Sequence, residues 1–571
     1  MARSLVLAVI LGFAGAGAAP AFAAPAPAAE EPANTGLAEI TVTARRKEEK
    51  LETVPFAVTA FSAAALSAQD TKSLTDIAHN TPGFQFQQQA GGGSGRNDRT
   101  ISNLTFRGLF LGNVSPVSQG GLVFLDGAPV INAQFPAMDD IARVEVLKGP
   151  QSVYFGRSTF TGAINFVTKD PGFEFGGHLK AMYGTYGSNE LSASLNVPVV
   201  KDVLAVRIAG SHVYKGGQYH NYANPNEVFG SQKTDSVSLD VLFKPTDALR
   251  IKGYFSYQLQ DDGPPAQASI KPGEMNCNMG GTYGAYWCGT LPSSIAPSAI
   301  SGNYGLTAYA QNQLIGNPNK YVTIFNPNFL QHGGMKREVW QADVRADYSF
   351  GNGMTLTSIT AMHSDKTGSI LDLDFRDASN VANPYYGVIP GATANVWWLL
   401  EYQALVHDFS QEIRLTSKQN SRFRWTVGGN YFWTDYLSGV IYGINPYGGG
   451  FSATYAQANP QTPAIFGAAY FDVTPQLTIS AEARYQWDKV RQASLSNSSG
   501  VALNPPVRFG KTYTSFSPRV TIDYKFTPSS TAYALWSRGY RPGGFNTALA
   551  IQSDTIKNQI LATGGSIAYD Q

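Results

Sequence analysis

The chain has 571 residues, a formal net charge of +1 and only 15% charged residues. That balance excludes the basic footprint of a nucleic-acid binder. Past the N-terminus no apolar run is long enough for a membrane-spanning helix, while 12% aromatics and 58 Gly suit a large β-structure with many turns.

In chain order, residues 1–23 read as a signal peptide, with Arg3 as the charged region, Leu5 to Phe13 as the apolar core and Ala21-Phe22-Ala23 as the cleavage site. Residues 24–50 form a flexible Ala/Pro/Glu-rich N-terminus. It carries one β-prone segment, Glu39, Ile40, Thr41, Val42, Thr43 and Ala44, followed by a charged run from Arg45 to Lys50. Between two polar linkers such a segment is expected to be disordered at rest.

Residues 51–170 read as a compact α+β unit. A strand over Val54–Phe61 precedes helical patterns over Ser62–Ala68 and Ser73–His79, the second stopped by Thr81-Pro82-Gly83. Gly91 to Gly95 form a loop, and Val123–Val130 is a strand turning at Asp126-Gly127. Strands at Val144–Leu147 and Ala163–Thr168 flank a Gly-Pro turn.

The residues of this unit closely resemble the plug domain of TonB-dependent outer-membrane receptors, in order and at fitting spacing. The motif positions are Arg107, Gly108, Asp126, Gly127, Glu145, Lys148, Gly149, Pro150, Gly156, Arg157, Gly162 and Asn165. Lys148 stands where the family commonly has Arg, which loses bidentate geometry. In front of a plug, Glu39–Ala44 resembles the TonB box, the peptide a periplasmic partner captures by strand addition.

From residue 177 to 571 the pattern becomes period two. Trp340, Ala342, Val344, Ala346 and Tyr348 alternate with Gln341, Asp343, Arg345 and Asp347. The same holds from Leu477 to Trp487 and from Phe516 to Phe526. Short turns at Lys244–Asp247, Phe350–Gly353, Asp472–Pro475 and Phe526–Ser529 alternate with long connections near 261–336, 366–400, 438–462, 488–512 and 542–568. This asymmetry predicts an all-β, antiparallel transmembrane barrel around the plug, with tight turns on the periplasmic side. The count is about 13 strands, against 22 in plugged transporters. The sequence therefore reads as an incomplete barrel, a fragment expected not to transport by itself.

Cys277 and Cys288, an even pair in an exported chain, predict a disulfide in an external loop. Aromatics in the long connections, Tyr283, Tyr286, Trp287, Trp397 and Trp398, are candidates for substrate contact. Inward charges at Glu412 and Glu482 are candidates to lock the plug, facing Arg107, Lys148 or Arg157. No Gly-x-Ser-x-Gly, His-Glu-x-x-His or P-loop pattern occurs and the seven His are scattered, so no enzyme, metal or cofactor is expected.

The resemblance implies a monomeric receptor in the outer membrane of a Gram-negative bacterium, embedded in its lipid. It implies TonB, energised by ExbB and ExbD, as partner, and active import of a scarce large solute, by default a ferric siderophore. Uptake of a carbohydrate or aromatic compound by the same mechanism, and a passive porin or surface receptor, are the alternatives.

Overall fold

The computed structural model describes residues 40–569 except 44, 48, 90–98, 110–116, 118, 133–137, 221–227, 266–275, 279–284, 287, 290–323, 325–328, 331, 373–397, 445–450, 497–501, 528–529, 542 and 551–553. The signal peptide, Glu39, Ala44, the Gly91–Gly95 loop, Tyr283, Trp287 and Trp397 lie outside the described residues.

The N-terminal unit begins with a two-residue pairing, β1 (Thr41–Val42) against β2 (Glu49–Lys50). A five-stranded sheet follows, built from β3 (Val58–Ser62), β6 (Gly121–Leu125), β7 (Ala128–Val130), β8 (Ile141–Lys148) and β9 (Gly162–Thr168) in the order β3-β8-β9-β6-β7. Among the described residues only β6 and β9 run parallel in it. A separate hairpin pairs β4 (Phe84–Gln89) with β5 (Ile101–Phe106). Helix α1 (Ala63–Ala68) starts where the Ser62 hydroxyl accepts from the Ala65 N–H. Helix α2 (Leu74–His79) starts on a Ser73/Asp76 capping box. The first predicted strand begins later than the sequence suggests, at Val58, because the chain bends at Pro55-Phe56, where the Phe56 N–H donates to the Val54 carbonyl at 2.9 Å.

Two glycine positions show why the motif needs glycine. The β6–β7 turn places Asp126 and Gly127 both at positive φ, 47° and 88°, the geometry of a tight hairpin. Asp126 tolerates it because its carboxylate accepts from the Thr168 N–H and hydroxyl at 3.0 and 2.5 Å. At Gly162 a Cβ would stand 2.6 Å from both the Leu147 carbonyl and the Phe106 ring. Close packing of strand on strand requires glycine there.

Among the described residues the second unit is one antiparallel sheet of fourteen strands. They are β10 (Gly176–Tyr183), β11 (Asn189–Val200), β12 (Leu204–Lys215), β15 (Gln232–Thr246), β16 (Leu249–Asp262), β19 (Gly334–Ser349), β20 (Thr355–Asp372), β21 (Trp398–Thr416), β22 (Phe423–Ile444), β23 (Phe451–Ala458), β24 (Gln461–Asp472), β25 (Leu477–Ser496), β26 (Ala502–Thr527) and β27 (Ser530–Ser537). Short pairings in the connections are β13 (Tyr219–His220) with β14 (Val228–Phe229), and β17 (Cys277–Asn278) with β18 (Ala285–Tyr286). Both β23 and β24 lie between β22 and β25, in register as one strand interrupted at Asn459-Pro460. Thirteen places thus cross the sheet, and among the described residues its outer strands β10 and β27 do not pair.

The inside-out pattern identifies a membrane wall. Phe516, Val520 and Ile522 are about half exposed, whereas Arg519 is 1% exposed and Glu482 and Arg484 are equally buried. Apolar side chains face outward and charges face inward, against the plug. Two expectations need correction. The stretches 438–462 and 488–512 are mostly strand: β22 and β23 reach Ile444 and Phe451, and β25 and β26 reach Ser496 and Ala502. Backbone pairing continues beyond the apolar band, where polar side chains carry no penalty, so side-chain composition ends the membrane span but not the ladder.

Candidate functional site

The site is the strap formed by the described residues of 40–50, lodged between plug and barrel wall. Its turn is closed by Arg46 N–H to the Thr43 carbonyl and Leu51 N–H to the Ile40 carbonyl, both 2.9 Å. Arg46 sits at φ 61°, a left-handed position unusual for a long side chain. Val42 is fully buried in an apolar cluster that joins plug residues Phe124, Tyr154 and Phe155 to barrel residues Tyr402, Val406, Phe432 and Tyr436. The expectation of a disordered segment is therefore corrected for Ile40–Thr43. The β-prone residues are apolar enough to be buried, and their edge finds a partner strand, β2, within the same segment.

Three contacts hold the strap. First, the Thr43 N–H and hydroxyl donate to Glu145 Oε1 at 2.8 and 3.0 Å. Glu145 is fully buried on β8 and also accepts from Arg143 Nε at 2.8 Å and Asn165 Nδ2 at 3.3 Å. A buried carboxylate is tolerable only when so satisfied.

Second, Arg46 reaches across to the barrel. Its guanidinium donates to the Gly127 carbonyl at 2.6 Å and the Tyr154 carbonyl at 3.2 Å, lies 4.7 Å over the Phe155 ring, and pairs with Glu412 on β21 at 3.3 Å. Arg414 donates to the other oxygen of Glu412 at 2.5 Å. Burial pushes the Arg46 guanidinium below its ordinary range, against the pull of Glu412.

Third, Arg45 forks onto Glu49 at 2.7 and 2.5 Å, while Lys47 pairs with the same carboxylate at 3.1 Å. Burial alone would lift the Glu49 carboxyl, but Arg45 and Lys47 hold it below its ordinary range. Both cations lie over the Tyr470 ring, at 5.0 and 4.3 Å. Tyr470 donates to Glu482 Oε1 at 3.2 Å. Its single proton is thereby used, so in its contact with the Tyr154 hydroxyl it is Tyr154 that donates. Arg519 on β26 pairs with Glu482 at 3.4 Å and donates to the Pro150 carbonyl and to Gln151 Oε1, the latter at 3.1 Å. One network thus connects the strap to the Gly149-Pro150 turn.

Glu412 and Glu482 both face the plug, as nominated, but the nominated partners are corrected. Arg107 lies beside Gly149 and Lys148. Lys148 donates to the Thr59 hydroxyl at 3.1 Å and the Pro82 carbonyl at 3.2 Å, and partial burial, then Arg107, holds its ammonium below the usual range. Arg157 points to the Val117 carbonyl at 3.4 Å. The reason is polarity: several bonds run from barrel cation to plug acceptor. Arg207 pairs with Asp140 at 2.5 Å, and Lys252 pairs with Asp126 at 3.3 Å and donates to the Thr168 carbonyl at 2.8 Å. Arg337 donates to the Asn132 carbonyl while paired with Asp365. In the nominated sense, plug Arg99 pairs with Asp262. The barrel cations went unrecognised, although their inward parity on each strand was available as a signal.

Gly149 and Gly156 take positive φ, 98° and 76°, as tight turns require, and Gly108 does so at 76° beside Arg107. Asn165 links Glu145 to the Gly127 N–H, which donates to its Oδ1 at 3.1 Å. Cys277 and Cys288 are joined in a disulfide with Cα atoms 5.9 Å apart. Tyr286 and Trp398 occupy β18 and the start of β21. No cluster of metal-ligating side chains occurs among the described residues.

A strand wall with its apolar face outward, filled by an α+β domain on buried ion pairs, defines a plugged transmembrane barrel. The family model described as the TonB-dependent receptor plug domain matches residues 50–163, and that described as TonB dependent receptor-like, beta-barrel, matches residues 286–565. The chain belongs to the TonB-dependent receptor family. Among curated proteins it is similar to the catecholate siderophore receptor Fiu of Escherichia coli O6:H1 (strain CFT073), 23% identical over 546 residues, covering 86% of this chain and 62% of the relative. The pesticin receptor of Yersinia enterocolitica is 23% identical over 158 residues, 27% of this chain and 24% of that protein. Among solved structures, the ferric yersiniabactin uptake receptor FyuA from Yersinia pestis superposes with a TM-score of 0.65 at 15% identity, over 87% of this chain and 66% of that one. The siderophore receptor PiuA from Acinetobacter baumannii gives 0.61 at 15%, over 86% and 66%. The chain thus spans just under two thirds of the length of Fiu, FyuA and PiuA.

Proposed function

We propose that this chain supplies the plug and part of the barrel of a monomeric outer-membrane receptor of a Gram-negative bacterium. The receptor imports a ferric siderophore with energy delivered by TonB, itself driven by ExbB and ExbD. The observation that carries this reading is the strap. Its β-prone edge is strand-addition material, and its bonds end on Glu145 in the plug sheet and on Glu412 in the wall. A pull from the periplasm on Glu39–Ala44 loads the Arg46–Glu412 pair and Glu145 directly. From β8 the load passes to the Lys148-Gly149-Pro150 turn, which Arg519 anchors to the barrel. The substrate class is supported by relatives named as siderophore receptors. Tyr283, Tyr286, Trp287, Trp397 and Trp398 are the proposed outer contacts, aromatic surfaces suited to a flat, aromatic iron chelate.

The test is accumulation of radiolabelled iron from ferric catecholates in iron-starved cells expressing the receptor. Uptake that needs the receptor supports the reading. Import of an oligosaccharide or aromatic compound without any iron uptake would replace it.

A further inference from the structure

Away from the strap, two carboxylates of the wall are buried without a partner. Arg207, Asp240, Tyr254 and Asp343 stand in one row across β12, β15, β16 and β19. All four are buried, and Tyr254 belongs to the apolar cluster of the plug residues Ile141, Val144 and Phe166. The row therefore faces inward, against the plug. Asp240 is 0% exposed and Asp343 2%. Among the described residues neither carboxylate accepts a hydrogen bond on either oxygen.

Cations stand close by, yet the plug holds them. Arg207 lies directly opposite Asp240 in the ladder, but its guanidinium turns to the plug. It pairs with Asp140 at 2.5 Å and donates to the Asp139 carbonyl at 3.0 Å. Asp240 is left at 3.6 Å, beyond hydrogen-bond reach. The second cation, Lys252, precedes Tyr254 by two residues on β16 and is thus diagonal to both Asp240 and Asp343, a separation that a long side chain spans. Its ammonium goes instead to plug acceptors, Asp126 and Asp170 at 3.3 Å each and the Thr168 carbonyl at 2.8 Å. The neighbouring cations are engaged as well. Lys169 donates to the Asp139 carbonyl at 2.8 Å, and Arg250 pairs with Asp170 at 2.6 Å. Even Ser238, two residues before Asp240 on β15, donates its hydroxyl to Asp140.

The docked plug thus takes the partners that the wall acids would otherwise hold. A buried carboxylate without compensation raises the energy of the state that contains it. Here that state is the docked one, because the plug diverts Arg207 and Lys252. Among the described residues the carboxylates do not converge as a metal ion's ligands would. Each cation instead has a second carboxylate one side-chain swing away.

We propose that Asp240 and Asp343 are exchange partners that receive Arg207 and Lys252 when the plug leaves the wall. Asp140 and Asp126 hold the two cations in the docked state, and the wall acids take them over as those bonds break. Neither cation passes through an unpaired state, so the wall lowers the barrier to plug displacement. This exchange depends on the plugged barrel and not on the cargo.

Plug release in the purified receptor tests it, read as the rate at which a membrane-impermeant maleimide labels Ala128→Cys at a fixed sub-denaturing urea concentration. Ala128 is buried against Ile359 and Ala361 of the wall, so labelling reports movement of the plug. Asp240→Asn/Asp343→Asn is expected to label roughly tenfold more slowly than the parent. Asp140→Asn, which frees Arg207 from its plug carboxylate, is expected to label faster. In that background Asp240→Asn speeds labelling further, because Arg207 then keeps no carboxylate. The reversal of sign between the two backgrounds is specific to exchange; a wall acid that merely braces Arg207 would speed release in both. Labelling of the double Asn variant as fast as the parent or faster would overturn the exchange. So would absence of the reversal, or Asp140→Asn labelling no faster than the parent. Should the double variant fold poorly, Asp343→Asn alone decides: slower labelling is expected, and equal or faster labelling overturns the assignment.

Discussion

Replacing Arg46 by Met tests the strap most sharply. Methionine keeps the apolar stem over Phe155 but deletes the ion pair to Glu412 and the bonds to the Gly127 and Tyr154 carbonyls. Both partners of the pair are more than nine-tenths buried, so little solvent screening discounts the loss. Breaking a buried pair costs about 3–5 kcal/mol. Glu412 retains Arg414 at 2.5 Å, which puts the expected cost near the lower end, about 3 kcal/mol, or roughly a hundredfold in the ratio of released to docked strap. A spin label at Thr41→Cys reads this ratio, and no free cysteine competes among the described residues. In Arg46→Met the ratio of mobile to immobile label is expected to rise by about that factor while the barrel's melting temperature stays unchanged. A label as immobile as in the parent would refute the idea that Arg46 latches the strap.

Tyr470→Phe removes the hydroxyl that links Tyr154 to Glu482; a loss of about 1–3 kcal/mol is expected, read as faster protease cleavage of the plug, and adding Tyr154→Phe should cost little more because the two act together. Gly162→Ala, whose Cβ would meet backbone and the Phe106 ring at 2.6 Å, should destabilise the plug by roughly 1–3 kcal/mol or prevent its folding, while Gly176→Ala, in open space, should be silent in the same thermal melts. Acid should loosen the strap through Glu49. Its carboxyl is depressed in the folded protein, so its contribution is full above the ordinary value of 4.5 and fades as pH falls through the lower folded value. The Thr41→Cys label should therefore mobilise at low pH in the parent, and less steeply in Glu49→Gln.

Much of this arrangement was legible in the residues. Period-two alternation at Phe516–Phe526 named the outward and inward faces correctly, because a side chain's face in a strand depends only on parity. Aspartate and glycine at the β6–β7 junction announced a turn, which the structure makes with both residues at positive φ. The docking of Ile40–Thr43 was not legible, since burial of a short apolar segment depends on surfaces from residues hundreds of positions away, such as Tyr402 and Tyr436. Partner choice for Glu412 and Glu482 was hidden for the same reason. Parity tells that a charge faces inward, and only the three-dimensional fit tells that Arg46 rather than Arg107 meets Glu412.

The central claim is that the strap is the handle through which TonB drives import. Energised uptake of a radiolabelled ferric siderophore, compared with surface binding in the same cells, tests it most directly in the parent and in Val42→Pro, which removes an N–H that strand addition uses. The account predicts that the variant binds the chelate at the surface as the parent does and imports none. Undiminished import by Val42→Pro, or by cells lacking TonB, would contradict it.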